Sequence, residues 1–297
     1  MVVKKCRFCK AGQVILVFAA NKSTKKTADQ FSCTNCGFGS HGPIVKCQSC
    51  RAYYVDEKIT QEKISTYYEV AEDTQYFKEQ YARKRTFSRY LHKLEQVMLG
   101  KGKLLDVGTN TGLFVRLALD DGWGALGIEP NKWAVEYARE NYKINLINKP
   151  FEQNSFKPDA FDVITMWDVI EHFTNPVVEI AKVYKFLKPG GVFAFSTVDP
   201  ETPFARVFGT KWSWFMEMHR VFWPRKTAEY YLKKVGFKKI IFKPHFRFLS
   251  LGYLATRLAA VSPDLSRIFS TLISQLSISK LVVPYYANDL YDCYAIK

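Results

Sequence analysis

Two groups of residues in this 297-residue chain have the types and spacing to do chemistry. The first is Asp106-Val107-Gly108-Thr109-Asn110-Thr111-Gly112, with Leu104-Leu105 before it and Leu113-Phe114 after. A short apolar strand runs into an acid and a glycine, a polar turn follows, and a second glycine opens an amphipathic helix. That is the pattern of a βα nucleotide-binding turn. The second group is six of the seven cysteines, which fall in the first fifty residues as Cys6/Cys9, Cys33/Cys36 and Cys47/Cys50. Each C-x-x-C turn presents two thiolates to one ion, and tetrahedral zinc takes two such turns.

Three pairs compete for one four-ligand site. Cys6/Cys9 and Cys47/Cys50 each sit between strand-like runs, as the knuckles of a zinc ribbon do, whereas Cys33/Cys36 runs into a glycine-rich loop ending near His41. Cys6, Cys9, Cys47 and Cys50 are therefore the expected ligands, with Cys33, Cys36 and His41 as the alternative set. Four thiolates close the shell, so the zinc expected here is structural. Cys293 lies in a terminal apolar strand and reads as plain core.

These groups need a scaffold. Hydrophobic residues make up 47% of the chain, enough for a packed core and too many for general disorder. No apolar run approaches the roughly 20 residues of a membrane helix. Val14 to Ala20 is too short and too closely preceded by Cys6, Arg7 and Cys9 for a signal peptide, so a cytoplasmic location is expected. The net charge of +15 is uneven. Residues 1–50 carry eight Lys and Arg against one acid, residues 101–200 eleven against thirteen, and residues 201–297 fifteen against six. Basic flanks attract an anionic small molecule, a membrane surface or nucleic acid.

From Lys103 onward the hydrophobic periods alternate in a βα rhythm. Strands are expected at 104–107, 125–128, 144–147, 161–166, 192–196, 239–242 and 291–296. The fold class that follows is α/β, a doubly wound seven-stranded Rossmann-like sheet with a small zinc-binding module before it. The expected divisions are a zinc-ribbon-like module at 1–56, a helical segment at 57–101, and a sheet domain at 102–297. That domain should contain an apolar helical insertion at about 246–283. The insertion reads as a cap on the sheet, with a dimer face or an interfacial membrane contact as alternatives.

Three further marks follow the glycine loop in order: Gly127-Ile128-Glu129-Pro130, Phe161 to Phe173, and Leu187-Lys188-Pro189-Gly190-Gly191. With these, the chain over roughly residues 65–297 resembles the class I S-adenosylmethionine-dependent methyltransferases. The resemblance implies S-adenosylmethionine as cofactor. It places Asp106, Gly108, Asn110 and Gly112 around the methionine end, Glu129 on the ribose, Phe151 and Glu152 at the adenine, and Trp167 and Asp168 beside the transfer site.

The fourth strand ends in Trp167-Asp168-Val169-Ile170, not the proline-rich motif of nucleobase amine methylases. No cysteine lies between Cys50 and Cys293 to serve as the nucleophile of an RNA cytosine methylase. The Glu171-His172 pair resembles the small-molecule, ubiquinone-methyltransferase-like branch, whose acceptors include sugars, lipids, quinones and natural products. The cysteine pairs also resemble members linked to cell-surface polysaccharide assembly. His172 and His219 are the candidate bases, because histidine titrates near neutrality. The alternative for His172 is a purely loop-shaping role. Two other readings stay open: an RNA methyltransferase using the zinc module to hold structured RNA, and a non-catalytic cofactor- or partner-binding subunit. The acceptor atom and the oligomeric state are not legible.

Overall fold

A computed structural model describes residues 5–10, 12–21, 31, 40–71, 79–98, 100–259 and 262–297. Cys33 and Cys36 lie outside the described residues.

The main sheet begins with β4 (Lys103–Val107), whose Leu104, Leu105 and Val107 are all buried. Burial on both faces is what a parallel strand covered by helices on each side requires. Leu105 and Val107 join the apolar layer containing Ile164 and Phe195, while Leu104 joins the opposite layer containing Phe114, Leu94 and Val163. β5 (Gly124–Ile128), β6 (Phe161–Trp167) and β7 (Leu187–Val198) run parallel to β4. β12 (Leu290–Ile296) inserts antiparallel between β7 and β9 (Lys239–Pro244). The resulting order is β5-β4-β6-β7-β12-β9.

Among the described residues the sheet therefore has six strands, not the expected seven. The run Ile144–Ile147 contributes a single parallel bridge, Ile147 to Ile128, outside β5. The chain turns at once: the Lys149 amide bonds back to the Ile147 carbonyl, and Pro150 has no amide to offer a ladder. Asn148 bonds instead to the carbonyls of Glu129 and Pro130, at 3.0 and 2.9 Å.

Helices cover both faces. α1 (Gln61–Val70) starts at a Thr60 cap, and α2 (Gln80–Val97) lies against the Leu104 layer. α3 (Leu113–Asp120) follows the glycine loop, and α4 (Lys132–Tyr137) starts at an Asn131 cap. α5 (Pro176–Phe186) and α7 (Arg225–Val235) contribute to the other face, and a short α6 (Pro203–Phe208) follows β7.

A second, antiparallel sheet holds the cysteines. β1 (Val14–Phe18), β2 (Ile44–Cys47) and β3 (Tyr53–Val55) are joined at the edge by β8 (Val221–Phe222), which comes from far along the chain. The segment expected as helical at 246–283 is built differently. Its helices, α8 (Leu251–Leu258) and α9 (Pro263–Gln275), are enclosed by an antiparallel strand pair, β10 (Arg247–Ser250) with β11 (Val282–Tyr285). Short β-branched and aromatic runs explain the strands: Val282-Val283 on one side, Phe248 on the other.

Candidate active site

The glycine loop turns at the carboxyl end of β4. Gly108 sits at φ +69°, and a Cβ there would come within 2.7 Å of Val169. Gly112 caps α3 at φ +76°, where only glycine is unstrained. A Cβ there would come within 2.7 Å of Ile144 and 3.3 Å of Ala138, so the position is packed from behind. The loop amides are already committed. Those of Gly108 and Thr109 bond to the Ile128 carbonyl, and that of Asn110 donates to Glu129 Oε2 at 2.7 Å. The Asn131 amide donates to the other oxygen, Oε1, at 3.0 Å. Glu129 thus fastens two loops together while keeping further lone pairs for a ligand.

Burial dominates the electrostatics here. It pushes the Asp106 carboxyl up to about 7, against the Thr165 hydroxyl that donates to it at 2.5 Å. Burial likewise raises Glu129 and Glu152 to about 7. Asp168 behaves oppositely. Burial raises it, but His245, Arg247 and the Ser196 hydroxyl at 2.7 Å more than offset that and hold it below the ordinary carboxylate range. Three acids near neutrality and one firmly ionised line the same cavity.

That cavity runs from Asp106, Gly108, Asn110 and Glu129, past Phe151 and Glu152, to Trp167 and Asp168. It continues to His172, His219, Trp214 and Arg247. The structure thus brings together every residue expected around the cofactor except Gly112. Trp167 is both wall and core: its ring stacks on Tyr90 at 4.2 Å and meets the edge of Phe114. α1 closes one side, where Asn131 holds the carbonyls of Tyr68 and Ala71 at 2.8 and 2.5 Å.

The two candidate bases differ. Both nitrogens of His172 are engaged, Nε2 with the Asp168 carbonyl at 2.9 Å and Nδ1 with the Tyr68 hydroxyl at 2.5 Å. Burial lowers its pKa to about 4. His219 is also buried, which holds its pKa well below the usual value, with His172 adding to the effect. Its Nδ1, however, has no hydrogen-bond partner among the described residues. Glu171, His172 and His219 converge within 4.8 Å, yet a metal there would have to displace Tyr68 or the Asp168 carbonyl from His172.

The cysteines form the better metal site. The Sγ atoms of Cys6, Cys9, Cys47 and Cys50 all lie within 4.8 Å of one another, with Cys6–Cys50 at 3.8 Å and Cys9–Cys47 at 3.6 Å. Sulfurs ~2.3 Å from a tetrahedral ion stand ~3.8 Å apart, against about 2.05 Å in a disulfide. Both knuckles share one geometry. Lys10 and Arg51 take left-handed backbone conformations, and their amides return to the carbonyls of Cys6 and Cys47. The amides of Phe8 and Cys50 point at Cys6 and Cys47 sulfurs, both at 3.4 Å. Gly12 leaves room for this, since a Cβ there would be 2.6 Å from Cys47 Sγ. His41 lies apart, with its ring against Phe215 and its Nδ1 on the Gly42 carbonyl.

Several cavity residues carry no local sequence signal. Tyr68 is one. His245 is another, its Nδ1 2.6 Å from Asp292, which in turn binds Lys93 at 2.5 Å. Arg247 and Arg257 complete the set.

A model for the methyltransferase domain matches residues 77–240, more than half of the chain. The chain belongs to the methyltransferase domain family. Its curated relatives include the ubiquinone biosynthesis O-methyltransferases of Vibrio atlanticus (strain LGP32) and Aliivibrio fischeri (strain ATCC 700601 / ES114). The first is 30% identical over 116 residues, covering 37% of this chain and 48% of the relative. The second is 30% identical over 108 residues, covering 34% and 46%. The chain thus spans about half the length of the curated relatives it matches. A solved S-adenosylmethionine-dependent methyltransferase from Archaeoglobus fulgidus superposes with a TM-score of 0.52 at 18% identity, over 76% of this chain and all of that one. This likeness shows a shared Rossmann-like methyltransferase fold. No helix among the described residues is long and apolar enough to cross a membrane.

Proposed function

We propose that this chain transfers the methyl group of S-adenosylmethionine to a small-molecule acceptor. The observation that carries the reading is the single cavity joining the Glu129–Asn110 end to the His219–Arg247 end through Trp167 and Asp168. When bound, the sulfonium cofactor supplies an electrophilic methyl group. Glu129 offers its carboxylate to the ribose hydroxyls. Asp106 holds the loop around the amino-acid end, Phe151 and Glu152 border the adenine, and Trp167 and Asp168 flank the methionine portion. His219 Nδ1 takes the proton of the acceptor, and His172 holds the loop that carries Asp168.

The curated relatives are named for O-methylation, so a hydroxyl on a quinone-like, lipid-linked or sugar acceptor is the first chemistry to try. The four cysteines would hold a structural zinc ion, and metal-bound thiolates rather than disulfides suit the reducing, cytoplasmic setting proposed here. Calorimetry with S-adenosylhomocysteine tests the cofactor assignment. Transfer of labelled methyl groups into fractions of a cell extract tests the reaction. Absence of cofactor binding by the folded, zinc-loaded protein would overturn the proposal.

A further inference from the structure

The cavity is also lined by Arg247 of β10, by Tyr253 and Arg257 of α8, and by Trp214 from the segment after α6. Arg247 stands there with its side chain turned inward. Its Nε and Nη2 are buried and have no hydrogen-bond partner among the described residues. Leaving such donors unmade costs more than a typical hydrogen bond gains, and the cost is larger for a charged group. Asp168 acts on Arg247 from a distance, without an ion pair. Arg257 shares the same indole: its guanidinium lies 4.7 Å from the Trp214 ring and that of Arg247 lies 4.8 Å from it. Two cations gathered on one ring repel each other; Asp168 and the Asp289 carboxylate, which takes the Trp214 indole N–H at 2.8 Å, temper this without filling the open donors of Arg247.

We infer that this lining is an oxyanion subsite, in which Arg247 with Arg257 receives a carboxylate or phosphate group carried by the acceptor. The inference rests on the acceptor reading given above and narrows it. A guanidinium presents a planar fork of donors that matches both groups. Trp214, Tyr253 and Phe248 line the cavity beside it, so the anion should be attached to a flat or apolar body. The excess of basic residues over 201–297 draws such a molecule in. Arg247 lies on the Trp214 ring, which in turn stacks on His219, so it stands beside the proposed base rather than beside the β4–α3 loop.

Calorimetric titration of the zinc-loaded protein, saturated with S-adenosylhomocysteine, tests this with three probes: phenyl phosphate, benzoate and phenol. At least one anionic probe should bind saturably and more tightly than phenol. Arg247→Gln should weaken that binding by at least about tenfold, and Arg247→Lys by less, because a point charge replaces only part of the fork. A preference for phenyl phosphate marks a phosphorylated acceptor, and a preference for benzoate marks a carboxylate. Affinity of Arg247→Gln for S-adenosylhomocysteine should stay within about twofold of wild type. Equal binding of phenol and both anions by wild type would overturn the subsite. So would parallel loss of cofactor affinity in Arg247→Gln, which would assign the arginine to the cofactor. If wild type fails to bind S-adenosylhomocysteine, the methyltransferase reading falls first. The anion titration repeated without it, in all three proteins, then judges the subsite on its own. Melting curves of both variants confirm that they fold.

Discussion

The hydroxyl of Tyr68 donates to Nδ1 of His172 at 2.5 Å, across 104 residues of sequence. With Nε2 on the Asp168 carbonyl, the imidazole is a strap between α1 and the end of β6. It has no nitrogen left for a substrate, whereas His219 has one. His219→Asn should therefore lower the methyl-transfer rate by about 10²–10⁴-fold with little change in cofactor affinity. His172→Asn and Tyr68→Phe should cost about 1–3 kcal/mol of stability and affect rate less. Rates on an acceptor fraction, paired with melting curves, separate the two. Loss of rate without loss of stability in His172→Asn would reverse the roles.

Glu129 anchors the glycine loop through Asn110 and also faces the cavity. Glu129→Gln keeps one oxygen and loses the charge. Calorimetry should show S-adenosylhomocysteine bound about tenfold or more weakly, in line with loss of a charge-assisted hydrogen bond. Gly108→Ala should do the same through Val169 and the positive φ. Unchanged affinity in both would remove the loop from the cofactor site.

Burial raises Asp106 and Glu129 from 3.8 and 4.5 to about 7. The folded, cofactor-free chain therefore keeps protons that the unfolded chain releases near pH 4. The sign follows from linkage: between those limits the native state binds more protons, so these two groups make stability fall as pH rises from about 4 to about 7. Affinity for S-adenosylhomocysteine should move the other way, rising over pH 6–8 as Glu129 ionises to meet the ribose hydroxyls. Glu129→Gln should flatten the affinity curve and lessen the fall in stability, the remainder belonging to Asp106. An affinity that is level across this range would contradict the assignment.

The cysteine site should carry one zinc ion per chain by elemental analysis. Chelation or Cys47→Ser should lower the melting temperature, because metal binding supplies folding free energy. The Cys50 carbonyl also holds Thr227 of α7 at 3.0 Å, so the loss should reach the methyltransferase sheet. A metal-free protein with an unchanged melting curve and full cofactor affinity would rule out this structural role.

What was legible in the sequence was local. The β4–α3 turn and the cysteine knuckles are short motifs whose function depends on neighbours a few residues away. Glu129 and the Trp167–Asp168 pair follow from where strands end. The missing information was relational. The packing of Ile144 and Ala138 against Gly112 comes from residues more than twenty positions on. The engagement of His172 depends on Tyr68, and the open donors of Arg247 depend on which acids fail to reach it. The seventh strand failed because its run is brief and ends against Pro150. β10 and β11 were hidden because their pairing spans a helical hairpin, and periodicity reports only one segment at a time.

The pairing of β8 with β3 has a consequence for protein engineering. Tyr53 and Tyr54 meet Phe222 and Val221, and buried Arg220 reaches Glu57 at 3.2 Å while its amide binds the Glu171 carbonyl at 2.8 Å. A chimera cut between the cysteine segment and the rest would strand a buried guanidinium and unzip the strand that follows His219. Any transplantable cassette must therefore be discontinuous, carrying the stretch from Arg220 to Tyr231 along with the cysteines.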